Sequence, residues 1–184
     1  TFANVLNHSG HDLHFVGVAG GNDQLYTALR DAEWHIPATI YDYITNMPDL
    51  MHAADCIVSK AGGLIVTESL ACGLPMLITQ VIPGQETGNA KYMVEGGAGD
   101  LTLEPLQFLE TMTHWLADDR RLYKERAANA RRLGRPGAAF AAADLIWDLT
   151  KAGAARHRSR LPVSREKLRE LLRQFSGTEK PVPS

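Results

Sequence analysis

The segment from Ser59 to Asn89, SKAGGLIVTESLACGLPMLITQVIPGQETGN, places strand, glycine turn, helix, strand and polar loop in immediate succession. Cys56-Ile57-Val58 leads into it as a short β-branched run, and Gly62-Gly63 interrupts that run just before a helical pattern carrying Leu64, Thr67, Glu68 and Leu70-Ala71. Pro75 to Thr79 reads as the next strand, and Pro83-Gly84-Gln85-Glu86 with Asn89 as the loop beyond it. In a parallel sheet consecutive strand ends open on the same edge, so the two loops are expected to face one crevice.

The same alternation runs through most of the chain. Phe2, Val5 and Leu6 read as the end of a helix that stops at Gly10, and Leu13 to Val18 as a strand. Gln24 to Ala32 reads as helix, His35 to Tyr41 as strand, and Met47 to Ala54 as a short helix with Pro48 in its first turn. Gly88 to Glu95 gives another helix and Ala98 to Leu101 a short extended piece. Beyond Glu104 the pattern is helical, broken near Asp118-Asp119 and again at Gly134-Arg135-Pro136-Gly137. Strand and helix in alternation predict a doubly wound, mainly parallel, Rossmann-like α/β sheet with a helical carboxyl-terminal extension. The boundaries expected are a domain over 1–150 and a tail over 151–184.

The loops carry a chemistry. A glycine turn feeding a helix leaves unpaired backbone N–H groups and the positive end of the helix dipole aimed at one spot, which suits a phosphate. Glu68, about one turn into that helix, is placed to accept from a vicinal diol such as a ribose, because a carboxylate only accepts and a sugar offers O–H donors. With a second loop to read hydroxyl groups, the pair reads as a nucleotide-sugar site. Taken singly, each residue has a plainer role: tight-turn glycines, a solvated helix carboxylate, a polar loop with an N-cap. Order and spacing together favour the site.

Other chemistries fit less well. His8, His11 and His14 are evenly spaced, but they straddle a predicted helix end and a strand, and do not converge as zinc ligands must. Cys56 and Cys72 are the only cysteines and show neither metal spacing nor a disulfide framework. Basic residues concentrate in one terminal segment without interleaved aromatics, which disfavours nucleic acid as a partner. No apolar run approaches the roughly 18 residues of a membrane span, and no signal pattern opens the chain, so a cytoplasmic location is expected.

Ser59-Lys60-Ala61-Gly62-Gly63, Glu68, Gly73-Leu74-Pro75, Ile82-Pro83-Gly84-Gln85-Glu86 and Gly88-Asn89 resemble the carboxyl-terminal domain of the monogalactosyldiacylglycerol synthases and bacterial diacylglycerol glucosyltransferases. These are GT-B enzymes, more distantly related to the glycosyltransferase that makes peptidoglycan lipid II. The resemblance runs from about Leu13 to about Leu149. It implies the carboxyl-terminal half of a GT-B fold that binds UDP-glucose or UDP-galactose as a substrate, with no cofactor and no metal. Gly62 and Gly63 would lie near the diphosphate with Lys60 and Leu64 beside them, Glu68 on the ribose, and Gln85-Glu86 on hexose hydroxyls within the Pro83, Gly84 and Asn89 loop. Asn22, in Gly20-Gly21-Asn22, matches a family segment that usually has Arg or Lys where Gly21 stands, so one phosphate contact is missing or comes from elsewhere. Tyr43-Ile44 matches a loop whose backbone, at Ile44, would meet the uracil.

The resemblance also implies partners: an amino-terminal domain that binds a lipid acceptor and holds the catalytic base, so no catalytic residue is expected in this chain. A first strand and glycine-rich loop would precede the opening helix. The chain therefore reads as a fragment, inactive by itself, of an inverting UDP-hexose-dependent hexosyltransferase that acts on diacylglycerol or a glycolipid. Two alternatives stand beside this reading: a naturally separate donor-binding subunit of a two-chain glycosyltransferase, and a UDP-sugar 2-epimerase. Charge is divided along the chain. Thr1 to Thr150 holds 10 Lys and Arg against 18 Asp and Glu, and Lys151 to Ser184 holds 9 against 3. In the tail Leu168, Leu171, Leu172 and Phe175 recur at helical spacing among basic residues, a pattern that suits peripheral contact with an anionic membrane, packing on the amino-terminal domain, or dimerisation.

Overall fold

Met76, Leu77 and Ile78 are three consecutive large apolar residues, and all three are fully buried, as befits a central strand covered on both faces. They open β4 (Met76–Gln80), the middle strand of a parallel three-stranded ladder whose outer members are β3 (Ile57–Lys60) and β5 (Gly99–Leu101). Because side chains alternate along a strand, Met76 and Ile78 enter one core and Leu77 the other. The first core is closed by α4 (Gly63–Ala71) and α5 (Thr87–Glu95) through Val66, Leu70, Ala90 and Met93. The second is closed by α1 (Phe2–Asn7) and α6 (Pro105–Leu133) through Leu6, Phe108, Met112 and Trp115. Helices on both faces of a parallel ladder make the doubly wound arrangement expected from the alternation.

A second parallel pair, β1 (Phe15–Val18) with β2 (Ala38–Tyr41), is joined by α2 (Asp23–Arg30) and followed by α3 (Met47–Ala53). Among the described residues β1 and β3 are not paired with each other, and each exposes a valine, Val16 and Val58. A computed structural model describes the backbone of residues 2–156 and the side chains of residues 2–151. The amphipathic pattern at Leu168 to Phe175 lies outside the described residues.

Two devices hold α6 in place, one on the sheet and one on α4. The indole N–H of buried Trp115 donates to Asp100 Oδ2 at 2.8 Å, and Arg126 grips the same carboxylate with Nε and Nη2, both at 2.9 Å. A buried indole needs such an acceptor, and a two-pronged guanidinium fixes its angle. At the far end Gly134 caps α6 against the Leu70 carbonyl, so closely that a Cβ there would collide with backbone oxygen. Between these points the helix breaks at Asp118, Asp119 and Arg120, three successive residues with left-handed backbone (φ 50°, 54° and 56°). The break falls where the sequence predicts one.

The first compact unit ends at Pro136 and the second begins at Gly137. In the second, α7 (Ala138–Arg156) leaves Phe140, Leu145, Ile146, Trp147 and Leu149 exposed, with Lys151 Nζ 5.1 Å from the Trp147 ring centre.

Candidate functional site

β3 ends at Lys60, buried Ala61 follows, and Gly62 caps α4 with extended backbone (φ −64°, ψ 145°) and no side-chain cap. The first N–H groups of α4 therefore keep no side-chain partner at the cap, as an anion-accepting turn requires. The register of β3 against β4 shifts between Ser59 and Lys60, yet the strands stay joined to the start of the turn, where Ala61 N–H donates to the Gln80 carbonyl at 3.0 Å.

The neighbouring loop, after β4, is closed on itself. Glu86 N–H donates to the Ile82 carbonyl at 2.9 Å, and Ile82 N–H donates back to Glu86 Oε2 at 3.0 Å. Gly84 sits at the tip with φ +77°, a conformation that favours glycine, and its N–H donates to Thr87 Oγ1 at 3.1 Å. Two further bonds tie this loop to the first. Lys60 Nζ donates to Glu86 Oε1 at 2.7 Å, and Asn89 Nδ2 donates to the Ala61 carbonyl at 3.0 Å. A Cβ on Gly62 would lie 3.7 Å from Glu86 Oε1, and one on Gly63 would lie 3.7 Å from Asn89 Nδ2. The carboxyl ends of β3 and β4 thus share one rim, with the amino ends of α4 and α5 beside each other.

Lys60, Gly62, Gly63, Glu86 and Asn89 are brought into this cluster directly. Pro83, Gly84 and Gln85 are exposed on the closed loop, and Leu64 and Glu68 are exposed on α4. The Glu68 carboxylate makes no hydrogen bond among the described residues, so its acceptor oxygens stay open to a donor. Glu86 is different: its side chain is only 3% exposed and both oxygens are occupied. The Lys60 ammonium, followed by the Ile82 N–H, holds its carboxyl below the usual carboxylate range.

Asn22 and Ile44 follow β1 and β2 and make no hydrogen bond to the Lys60–Asn89 cluster. Asn22 Oδ1 accepts from Leu25 N–H at 3.0 Å and caps α2, while the N–H groups of Gly20 and Gly21 donate to the Asp42 carbonyl. Gly20 and Gly21 are both left-handed (φ +66° and +81°), so the position where the resemblance implies Arg or Lys is here a backbone turn. Next to Ile44, Tyr43 is 71% exposed.

The ties Lys60–Glu86 and Asn89–Ala61 are absent from the sequence reading. They join residues 26 and 28 positions apart, and only the parallel packing of β3 on β4 brings them together. A cavity of about 250 Å³ at the α6 break, lined by His114, Ala117, Asp118, Arg121 and Leu122, shares no residue with this rim. His11 bonds Thr113, His14 bonds Thr39, and His8 stands edge-on to His35 at 4.9 Å. Cys56 packs against the Trp115 cluster, where burial, aided by Asp55, pushes its thiol up to about 12.

Residues 3–142 match the glycosyltransferase family 28 C-terminal domain. The chain belongs to this family. Monogalactosyldiacylglycerol synthase 3, chloroplastic, of Arabidopsis thaliana is 36% identical over 132 residues, which cover 72% of this chain and 28% of that protein. The probable monogalactosyldiacylglycerol synthase, chloroplastic, of Nicotiana tabacum is 33% identical over 123 residues, 67% of this chain and 23% of the relative. The chain thus spans between a fifth and a third of the length of these curated relatives. Among solved structures, MurG of Acinetobacter baumannii superposes with a TM-score of 0.62 at 24% identity, over 80% of this chain and 49% of that chain. The glycosyltransferase SnogD from Streptomyces nogalater follows at 0.53 and 20%, over 77% and 37%. The likeness shows the fold of this family 28 domain: the Rossmann-like carboxyl-terminal half of a GT-B glycosyltransferase. No helix among the described residues is long and apolar enough to cross a membrane.

Proposed function

We propose that this chain is the donor-binding half of an inverting glycosyltransferase that moves a hexose from a UDP-sugar to a diacylglycerol or glycolipid hydroxyl. One observation carries the reading: the glycine turn before α4 and the closed loop before α5 meet at one rim, joined by Lys60–Glu86 and Asn89–Ala61. The diphosphate lies against the amino end of α4 at Gly62, Gly63 and Leu64. Glu68 takes the ribose hydroxyls, Gln85 faces the hexose, and Asn22 and the Ile44 backbone approach the nucleotide from the β1 and β2 ends. Family membership and the monogalactosyldiacylglycerol synthase relatives support the donor and acceptor classes.

The chemistry needs little from this half beyond electrostatics. A base on the amino-terminal domain takes the acceptor proton as the acceptor oxygen bonds to the hexose C1. The C1–O bond to UDP breaks with inversion, and the electron pair leaves on the β-phosphate. Amides and a helix amino end fixed in advance around that oxygen stabilise the growing charge at no reorganisation cost, usually the largest contribution to such catalysis. In the membrane-facing enzyme, the tail's basic residues would serve an anionic surface.

Calorimetric titration of UDP, UDP-glucose and UDP-galactose against the chain tests the donor assignment. UDP is expected to bind, and Glu68→Ala to weaken it by about 1–3 kcal/mol through loss of a charge-assisted hydrogen bond. Equal affinity in the mutant removes Glu68 from the ribose, and no binding by the wild-type chain removes the donor site.

A further inference from the structure

We infer that the outer side of α6 beyond its break is a docking surface for an anionic bilayer, carried by Arg121, Lys124, Arg131 and Arg132, with Arg135 just past the helix cap. The class of partner rests on the lipid-acceptor reading above; the surface itself rests on charge and geometry. Residues 120–135 hold seven of the ten Lys and Arg found among residues 1–150, and Glu125 is their single acid. The rest of residues 1–150 holds three cations against 17 acids. An otherwise acidic stretch of chain thus gathers its positive charge in one place.

The helix sorts these cations by face. At 3.6 residues per turn Arg121, Lys124, Arg131 and Arg132 fall within an arc of about 100°, and all four are exposed. Tyr123, Ala127, Ala130 and Leu133 point the other way, into the core. Arg126, on the core side, is taken up by Asp100. Arg121 and Arg131 make no hydrogen bond or ion pair among the described residues. Lys124 meets Asp119 at 2.7 Å, but both side chains are solvated and such a pair holds the ammonium weakly. Arg132 and Arg135 bond only carbonyl oxygens, so their charge stays uncompensated there.

Helix stability does not account for the row. Arg131 and Arg132 in the last turn complement the helix dipole, but Arg121 and Lys124 sit in the first turn after the break, where positive charge opposes it. An external layer of negative charge offsets that cost. From Arg121 to Arg131 the row runs about 15 Å along the axis, a straight line suited to a plane of phosphate headgroups. A single-stranded nucleic acid would need exposed aromatics between the cations, and Tyr123 is turned instead to Asp55 and the core. The row also stands clear of the donor rim. Arg131 lies over Gly73 and Arg132 bonds Gly96, the turns at the carboxyl ends of α4 and α5, whereas the rim is built at their amino ends. The protein can therefore hold a bilayer and a nucleotide-sugar at once.

Co-sedimentation of the full chain with vesicles of phosphatidylcholine, alone or mixed with phosphatidylglycerol, tests the surface. Arg121→Gln/Lys124→Gln/Arg131→Gln is compared with Arg121→Lys/Arg131→Lys, which keeps the charge, and with Arg156→Gln/Arg158→Gln/Arg160→Gln, which removes as much charge from the tail. Glutamine keeps helix propensity at exposed positions, so the α6 variant folds. Each cation near an anionic surface is worth about fivefold in partitioning. The α6 glutamine variant should lose tenfold or more on mixed vesicles, the lysine variant should bind as wild type does, and added salt should weaken wild type. Wild-type binding by the α6 glutamine variant overturns the surface, and so does equal binding of wild type to neutral and mixed vesicles. Equal loss in the α6 and tail triples would mark a net-charge effect, and retention of an RNA oligomer without vesicle binding would mark a different partner; either also overturns it. UDP affinity should be the same in wild type and the α6 variant. Failure of wild type to bind UDP removes the donor reading alone, and the vesicle result still decides this one.

Discussion

Asn89→Ala should cost the protein more than its position in the first turn of α5 would imply. Asn89 Nδ2 donates to the carbonyl of Ala61, a residue with no exposed surface, and among the described residues no other group donates to that oxygen. Truncation leaves a buried acceptor without a partner, at a cost of about 1–3 kcal/mol. For a chain of 184 residues this lowers the melting temperature by roughly 2–4 °C per kcal/mol, or roughly 2–12 °C in all. Asn89→Asp is the sharper variant. It keeps the shape but replaces the donor with an acceptor facing an acceptor, so it should destabilise at least as much as alanine. Urea unfolding of the three proteins measures both values, with UDP affinity expected to fall in parallel as the Gly62-Gly63 turn loses its anchor. An Asn89→Asp protein as stable as wild type would refute the claim that this side chain donates to Ala61.

Gly134→Ala should destabilise by about 1–3 kcal/mol in the same assay, because its Cβ would strike the Leu70 backbone carbonyl, which cannot rotate away. Acid unfolding should report Glu86. Its carboxyl is held below the ordinary range, so the stability it contributes is fully present above the unfolded value near ~4.3 and is lost as pH falls through the folded one. A plot of stability against pH should therefore fall less steeply below about pH 4 in Glu86→Gln than in wild type. Cys56, whose thiol burial pushes up to about 12, should resist iodoacetamide at pH 8 in the folded chain and react once urea unfolds it.

Element order is legible in the sequence because each strand is a short β-branched or apolar run and each helix a 3.6-residue pattern, with glycine or proline between them. β4 is legible as a strand from its apolar run Met76-Leu77-Ile78, but its central place emerges only from the pairing with β3 and β5. The shared rim follows from parallel topology alone. Side-chain commitments are a different matter. Glu86 and Glu68 are the same residue type in similar loop-and-helix settings, yet one is sealed against Lys60 and Ile82 and the other is open. That difference depends on the register of β3 against β4, a long-range contact that leaves no trace in local periodicity. The left-handed backbone at Asp118 to Arg120 is likewise visible in sequence only as a break, because aspartate tolerates that conformation without requiring it.

The central claim is that two loops at the carboxyl ends of β3 and β4 hold one nucleotide-sugar between them. Backbone NMR of the chain titrated with UDP-glucose tests it directly. The amides of Gly62, Gly63 and Leu64 on one loop and of Gly84 and Gln85 on the other should move together, along titration curves that share a single dissociation constant. Movement confined to one loop, or two sets of curves with unrelated midpoints, would contradict the account.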